Sequence, residues 1–123
     1  MASTLRKLYW YLRSPKDIEI GDDVDMRYYP AGSFDPVGIH IAARTAPTGQ
    51  ALIVDVKAAG LSLLFDGIQG RLPAGLTDHR STNVATMKGQ AGDAITLSLV
   101  QIGNQEPGRG ITVEMTILEA SPN

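Results

Sequence analysis

Few residues in this 123-residue sequence could perform acid–base chemistry. The only histidines are His40 and His79, and Asp78 directly precedes the second. Neighbouring side chains do not generally form a proton relay, and the sequence has no nucleophile elbow, no phosphate-binding Gly-Lys loop and no HExxH motif. His40 is expected on the solvent-facing or interface side of a strand. We therefore predict that the protein is not an enzyme and has no catalytic, cofactor or metal residues.

An acidic cluster between positions 17 and 25 raises the question of a calcium site. It consists of Asp17, Glu19, Asp22, Asp23 and Asp25. Hard cations take oxygen ligands, but the spacing differs from that of an EF-hand loop. Gly21-Asp22-Asp23 is typical of a plain turn. We favour a solvated turn, or a complement to basic residues on a neighbouring molecule, over a cation site.

The composition excludes several classes of protein. The chain has no cysteine, which removes disulfides, thiolate zinc sites and cysteine nucleophiles, and fits assembly in a reducing cytoplasm. Its formal net charge of −2 argues against whole-surface binding of nucleic acid. We find no apolar run long enough to span a membrane and no signal peptide. The expected partners are therefore proteins, with no nucleic acid and no membrane.

Hydrophobic residues recur with the period of two that is typical of half-buried strands. Four runs show it clearly, and a weaker one precedes them: Val37–Ala42, Leu52–Lys57, Ile95–Val100, Ile111–Ile117, and the weaker Val24–Tyr28. Turn residues separate the runs, which favours a β-sandwich or barrel. The remaining segments are predicted as a short strand (Leu61–Phe65), an extended loop (Gly67–His79), an edge strand (Ser81–Lys88) and a long flexible loop (Gly103–Gly110).

The N-terminal segment stands apart because it holds the only tryptophan and two of the four tyrosines. Leu5, Leu8 and Leu12 match one face of a helix, whereas Leu8, Trp10 and Leu12 match one face of a strand. We favour a strand or extended arm, since Tyr-Trp-Tyr prefers a pleated surface. Large side chains on both faces exceed what one core needs, which favours contact with another protein. The predicted interface residues are Leu5, Arg6, Lys7, Leu8, Tyr9, Trp10, Tyr11, Leu12 and Arg13.

Three stretches carry a resemblance to a known family: Thr45–Lys57, Ala91–Gly103 and Gly110–Met115. Together they resemble the jelly-roll domain of tailed-bacteriophage virion proteins, which include capsid decoration proteins, head fibres and minor tail or baseplate components. The resemblance extends over about Tyr28 to Leu118. It implies an all-β, antiparallel jelly-roll-like β-sandwich and a homo-oligomer for which a trimer is expected. We assign the sandwich to 17–123 and the arm, which departs from the usual long tail proteins of the family, to 1–16.

The resemblance implies a structural virion protein. The leading interpretation is a capsid decoration protein that is assembled in the host cytoplasm, oligomerises on the capsid surface and binds the major capsid protein. The arm would lie across capsid subunits or neighbouring copies of the chain. Deleting Met1–Pro15 would then test the arm as the anchor. The alternative is a tail, baseplate or fibre component that recognises host-surface carbohydrate, for which the aromatic residues outside the arm are Tyr28, Tyr29, Phe34 and Phe65. Head and tail locations both stay open.

Overall fold

The computed structural model describes residues 3–13, 20–64, 70–82, 84 and 89–120. These residues form nine strands and no helix, so the all-β prediction is confirmed. The strands are β1 (Ser3–Leu12), β2 (Gly21–Tyr28), β3 (Phe34–Ala42), β4 (Leu52–Ala58), β5 (Leu61–Ser62), β6 (Arg71–Leu72), β7 (Asp78–Ser81), β8 (Ile95–Gln101) and β9 (Ile111–Ala120). No helix that could cross a membrane occurs in this part of the chain.

The strands form two antiparallel sheets that pack face to face. Sheet A has the order β1-β9-β3-β7, and sheet B has the order β2-β8-β4-β5, with β6 also paired to β4. The first four strands alternate between the two sheets, and so do the last three. This alternation is what a jelly-roll-like sandwich requires. The predicted antiparallel sandwich is confirmed.

One hydrophobic core fills the space between the sheets. Sheet B contributes Leu52, Val54 and Val56 from β4 and Ile95, Leu97 and Leu99 from β8, and all six side chains are buried. From sheet A, β9 contributes Ile111, Val113, Met115 and Ile117. These are the inward positions that the period of two predicts. In β4, β8 and β9 the alternation in the sequence therefore marks a strand with one face in the core. The weaker run Val24–Tyr28 does not follow this pattern, because Met26 is 51% exposed.

Strand β3 departs from its predicted alternation. Ile39 and Ile41 are buried as expected, but Val37 is 38% exposed. The register of β3 against β9 shifts between Pro36 and Gly38, so Phe34 and Pro36 point inward before the shift and odd-numbered residues point inward after it. A bulge of this kind reverses the facing of a strand, which a simple count along the sequence does not reveal.

Three weakly patterned segments differ from their predictions. The predicted loop Gly67–His79 contains β6 and the start of β7, whereas the predicted edge strand Ser81–Lys88 begins where β7 ends. Within that second segment, Val84 makes only an isolated bridge to Leu64, and positions 83 and 85–88 lie outside the described residues. The predicted strand Leu61–Phe65 is reduced to the two residues of β5, and Phe65 also lies outside the described residues.

The loop Gly103–Gly110 is held in place rather than free. Thr48 bridges Glu106, and Thr45 bridges Arg109, so the loop pairs with the connection that follows β3. The close approach needs glycine: a Cβ atom at Gly103 would lie 2.0 Å from the carbonyl oxygen of Glu106. The prediction of a flexible loop was wrong. It took the glycines as a sign of flexibility, whereas here the missing side chains permit tight packing.

Candidate subunit interface

The N-terminal segment that was predicted as an arm is an integral strand of sheet A. Strand β1 pairs with β9 over ten residues, from Ser3 opposite Ala120 to Leu12 opposite Ile111. Leu8, Trp10 and Leu12 are buried in the core, as the strand interpretation predicted. Residues 3–12 therefore belong to the sandwich rather than to a separate arm. The role of Leu5–Arg13 as an interface stays a prediction.

Contacts between β1 and β2 join the two sheets along the C-terminal half of β1. Trp10 Nε1 donates a hydrogen bond of 2.7 Å to the carbonyl oxygen of Met26, and its ring meets that of Tyr28 edge-on at 5.4 Å. The Tyr28 hydroxyl donates to the carbonyl oxygen of Tyr9 at 2.8 Å and accepts from the Tyr9 N–H at 3.3 Å. The sequence alone gave no signal for these contacts between distant residues.

The acidic residues of β2 take part in local structure. Asp25 Oδ2 accepts the N–H of Tyr11 at 3.0 Å, Asp23 pairs with Arg27, and Asp22 lies 3.8 Å from Lys57. The predicted plain turn at Gly21-Asp22-Asp23 was wrong, because these residues begin a strand with two register shifts against β8. Asp17 and Glu19 lie outside the described residues. The described part of the chain contains no group of three metal-ligating side chains.

The outer face of sheet A carries the large side chains of β1 that the core does not use. Tyr9 and Tyr11 stack with ring centroids 6.0 Å apart, and Arg13 lies over the Tyr11 ring at 5.7 Å. Tyr11 is 46% exposed. Further along β1, Leu5 lies directly opposite Leu118 of β9, and both are exposed, to 63% and 36%. These residues form a surface with aromatic and apolar character on a rigid sheet, which suits a protein contact.

The N-terminal half of β1 also has an open edge. The N–H groups of Tyr9 and Tyr11 point to β2 rather than to β9. Main-chain groups alternate in direction along an antiparallel strand, so the N–H and C=O groups of all odd-numbered residues of β1 point away from β9, at the edge of the sheet. For Ser3, Leu5 and Lys7 the described part of the chain offers no edge partner. A groove of about 540 Å³ lies beside this edge, with walls that include Tyr29 and Ile95.

A buried carboxylate anchors the far end of β9. Glu119 accepts the N–H groups of Ala31 at 2.6 Å and Gly32 at 3.2 Å, and Arg6 of β1 pairs with its other oxygen. Burial by itself would raise the pKa of Glu119, but the two backbone donors and Arg6 outweigh burial and lower the pKa below its usual value. The ionised side chain thus ties β1, β9 and the β2–β3 connection together.

The two histidines lie on opposite faces of sheet A and form no relay. His40 Nε2 contacts Asp78 Oδ1 on the outer face, and its hydrogen bond lowers the pKa of Asp78. His79 lies opposite the inward-facing Ile41 in the β3–β7 ladder, so its side chain is on the inner side of the same sheet. His40 is therefore on the face predicted for it, while Asp78 and His79 diverge because successive residues of a strand point to opposite faces.

Comparison with known proteins gives a match in structure but not in sequence. No protein-family model matches the chain, and no curated protein matches it. The fold is similar to that of a chain in the capsid asymmetric unit of cyanophage Pam1, with a TM-score of 0.53, 12% sequence identity, and coverage of 96% of this chain and 85% of that chain.

A second similar structure is the acidic stable capsid of Helicobacter pylori bacteriophage KHP30. Its chain matches with a TM-score of 0.41 and 13% identity, covering 100% of this chain and 90% of that chain. A TM-score of this size does not establish a shared fold. The likeness to the cyanophage chain, at 12% identity, shows that the sandwich architecture is shared and leaves the role of this chain to be argued from its own surface.

Proposed function

We propose that the chain is a structural, non-enzymatic protein of a tailed-bacteriophage virion that decorates the capsid surface. In this proposal the jelly-roll-like body forms a homo-oligomer, with a trimer expected, and binds the major capsid protein. Its contact residues are the outward-facing members of the predicted set, on the outer face of β1 rather than on a free arm: Leu5, Lys7, Tyr9, Tyr11 and Arg13. Leu8, Trp10 and Leu12 are excluded because they are buried in the core. In this proposal the chain assembles onto the capsid within the host cytoplasm and is then part of the virion.

The observation that carries the proposal is the outer face of sheet A. Leu5, Leu118 and Val37 place exposed apolar area there, next to the stacked pair Tyr9 and Tyr11. The β1–β9 ladder and the contacts with β2 fix the backbone that carries the side chains of β1 and β9 before any partner binds, which lowers the entropy cost of association. The fold shared with a chain of a cyanophage capsid, over nearly the whole length of both, supports a virion setting for such a surface.

Capsid binding by point variants tests the proposal. Capsids purified from phage that lack the gene would be incubated with the wild-type chain or with the double variant Leu5→Ser/Leu118→Ser. We expect saturable decoration by the wild type and at least a tenfold loss of affinity in the double variant, because exposed apolar anchors carry most of the binding energy of an interface, whether with the capsid protein or between the copies of the oligomer that binds it. Occupancy would be measured by quantitative gel densitometry and located by cryo-electron microscopy.

A matched control separates the proposed surface from general surface hydrophobicity. Val100 on β8 is 53% exposed, comparable to Leu5, but belongs to sheet B. Val100→Ser should decorate capsids like the wild type. Equal losses in both variants, or absence of the chain from purified wild-type virions by mass spectrometry, would refute the proposal.

A further inference from the structure

A concavity at the end of β1 gathers three arginines from distant parts of the chain. Arg13 follows β1, Arg44 follows β3, and Arg109 precedes β9, and together they line a space of about 820 Å³. The hydroxyl-bearing residues Thr45 and Thr112 line it as well. This surface, defined by Arg13, Arg44 and Arg109, is called the arginine cleft below. It is basic, although the whole chain has a net charge of −2.

The charges of the arginine cleft are largely uncompensated. Among the residues that the structure describes, no carboxylate forms an ion pair with Arg13 or Arg44. Arg109 has one partner, Glu106, at 3.6 Å, but its own side chain is 59% exposed. An exposed pair at that distance is weak and leaves the guanidinium available to a better acceptor.

The cleft is organised before any ligand binds. The stem of Arg44 lies across Gly110, where a Cβ atom would come within 2.8 Å of the Arg44 Cγ and Cδ atoms. The backbone N–H of Arg44 donates to the carbonyl oxygen of Arg109 at 2.9 Å, which locks the two loops together. Arg13 is placed over the Tyr11 ring. Guanidinium groups positioned in this way bind planar carboxylates through paired N–H donors at low entropic cost.

We propose that the arginine cleft binds a short acidic segment of a partner protein through its carboxylates. The extent of the positive charge favours a short segment over a nucleic acid. Asp25 of β2 places negative charge at the border of the cleft, because its carboxylate accepts the N–H of Tyr11, one of the residues that line it. A polyphosphate chain that extends past the cleft would meet this repulsion, whereas a peptide with two or three carboxylates would not.

The test uses the full chain and a capped, fluorescently labelled triglutamate peptide, which carries three carboxylates, at low ionic strength. Fluorescence anisotropy should show saturable binding that weakens as salt is added. Arg44→Ala and Arg13→Ala should each reduce affinity about tenfold, the size expected for losing one charge-assisted contact. Arg71→Ala should leave affinity within about twofold of the wild type, since Arg71 lies on β6 and does not line the cleft.

Other outcomes would overturn the inference. Equal losses in all three variants would mean unspecific attraction of charge, and tighter binding of an octathymidylate would assign the cleft to nucleic acid. An oligomer of the wild-type chain that dissociates in Arg44→Ala would assign it to a second copy. The peptide experiment needs no capsid, so its failure and the failure of capsid decoration are separate results.

Discussion

The burial of Trp10 changes the interpretation of the N-terminal segment from a free arm to a part of the core. Its side chain is fully buried between the sheets, and its indole N–H is satisfied by the carbonyl oxygen of Met26. Removing Met1–Pro15 would therefore delete three core side chains, those of Leu8, Trp10 and Leu12, along with a whole strand of sheet A. A loss of capsid binding in that truncation would report unfolding as readily as loss of contact, which is why point variants on the outer face are the better test.

Substitution of Trp10 measures its share of the core. We expect Trp10→Ala to lower the free energy of unfolding by about 3–5 kcal/mol, because the substitution leaves a large cavity and an unpaired carbonyl oxygen at Met26. Urea denaturation followed by circular dichroism would give the value. Tyr11→Ala, next to it on the exposed face, should cost about 1 kcal/mol or less. Similar losses in both variants would contradict the assignment of the two faces.

Glu119 predicts how stability responds to acid. Its folded-state pKa is lowered relative to the ordinary 4.5, so the ionised carboxylate stabilises the fold fully above that value. The contribution is lost as the pH falls through the folded-state pKa. The difference in unfolding free energy between the wild type and Glu119→Gln should thus be constant near neutral pH and shrink below about pH 4.5. Denaturation curves at several pH values would check this, and a difference that grows on acidification would contradict it.

At the scale of elements, the edge of β1 is divided into a closed half and an open half. The Tyr28 hydroxyl satisfies both main-chain groups of Tyr9, whereas Leu5 and Lys7 have no such cover among the described residues. Edge strands with free main-chain groups can pair with another chain, and proteins restrict this by covering or charging the edge. Strand β2 therefore limits strand addition to the N-terminal half of β1.

Removing the Tyr28 hydroxyl should open the closed half. We expect Tyr28→Phe to lower the free energy of unfolding by about 1 kcal/mol. The substitution removes two hydrogen bonds to Tyr9, and water partly replaces them. The amide of Tyr9 should exchange its hydrogen faster with solvent, measured by hydrogen–deuterium exchange with NMR detection. Tyr11→Phe is the matched control, because no hydrogen bond of its hydroxyl occurs within the described residues. Unchanged exchange at Tyr9 would show that Tyr28 does not cover the edge.

The elements with the clearest alternation could be predicted from the sequence, and those shaped by distant contacts could not. The four main strands follow from runs such as Leu52–Lys57, because one face of each strand enters the core. Strands β6 and β7 have two and four residues, too short for a period of two to stand out. The assignment of the N-terminal segment to sheet A depends on its pairing with β9, at the other end of the chain. Local pattern gives the strand but not its partner.

The candidate site was predictable only in part, for the same reason. Tyr9, Tyr11 and Leu5 were recognised by type and lie on an exposed face. Leu118 and Val37 were missed, because Leu118 sits where the predicted strand had ended and Val37 faces outward only through the bulge after Pro36. The arginine cleft needs three loops that sequence reasoning treats as separate, and one of them was predicted to be flexible.

At the scale of the whole molecule, folding and assembly can be separated. The accessible surface of the chain is 6561 Å². A compact monomer of 13.1 kDa is expected to expose roughly 6,400 Å², so a single chain already has the compactness of an independent fold. The exposure of Leu5 and Leu118 on sheet A therefore does not mean that the core of the monomer is incomplete. Substitutions on this exposed face that disrupt assembly should leave the monomer folded. A loss of assembly in such a variant can then be attributed to the interface and not to unfolding.

The proposed trimer makes the final prediction at this scale. Leu5, Leu118 and Val37 expose apolar area on one face, and burying such area between copies favours association through the hydrophobic effect. A closed ring with three-fold symmetry would bury these three side chains in every subunit and leave the stacked Tyr9 and Tyr11, further along β1, open to the capsid protein. Native mass spectrometry should find three copies of the 13.1-kDa chain for the wild type and one folded copy for Leu5→Ser/Leu118→Ser. A wild-type monomer at micromolar concentration would refute the trimer, while decoration by that monomer would still support the capsid contact.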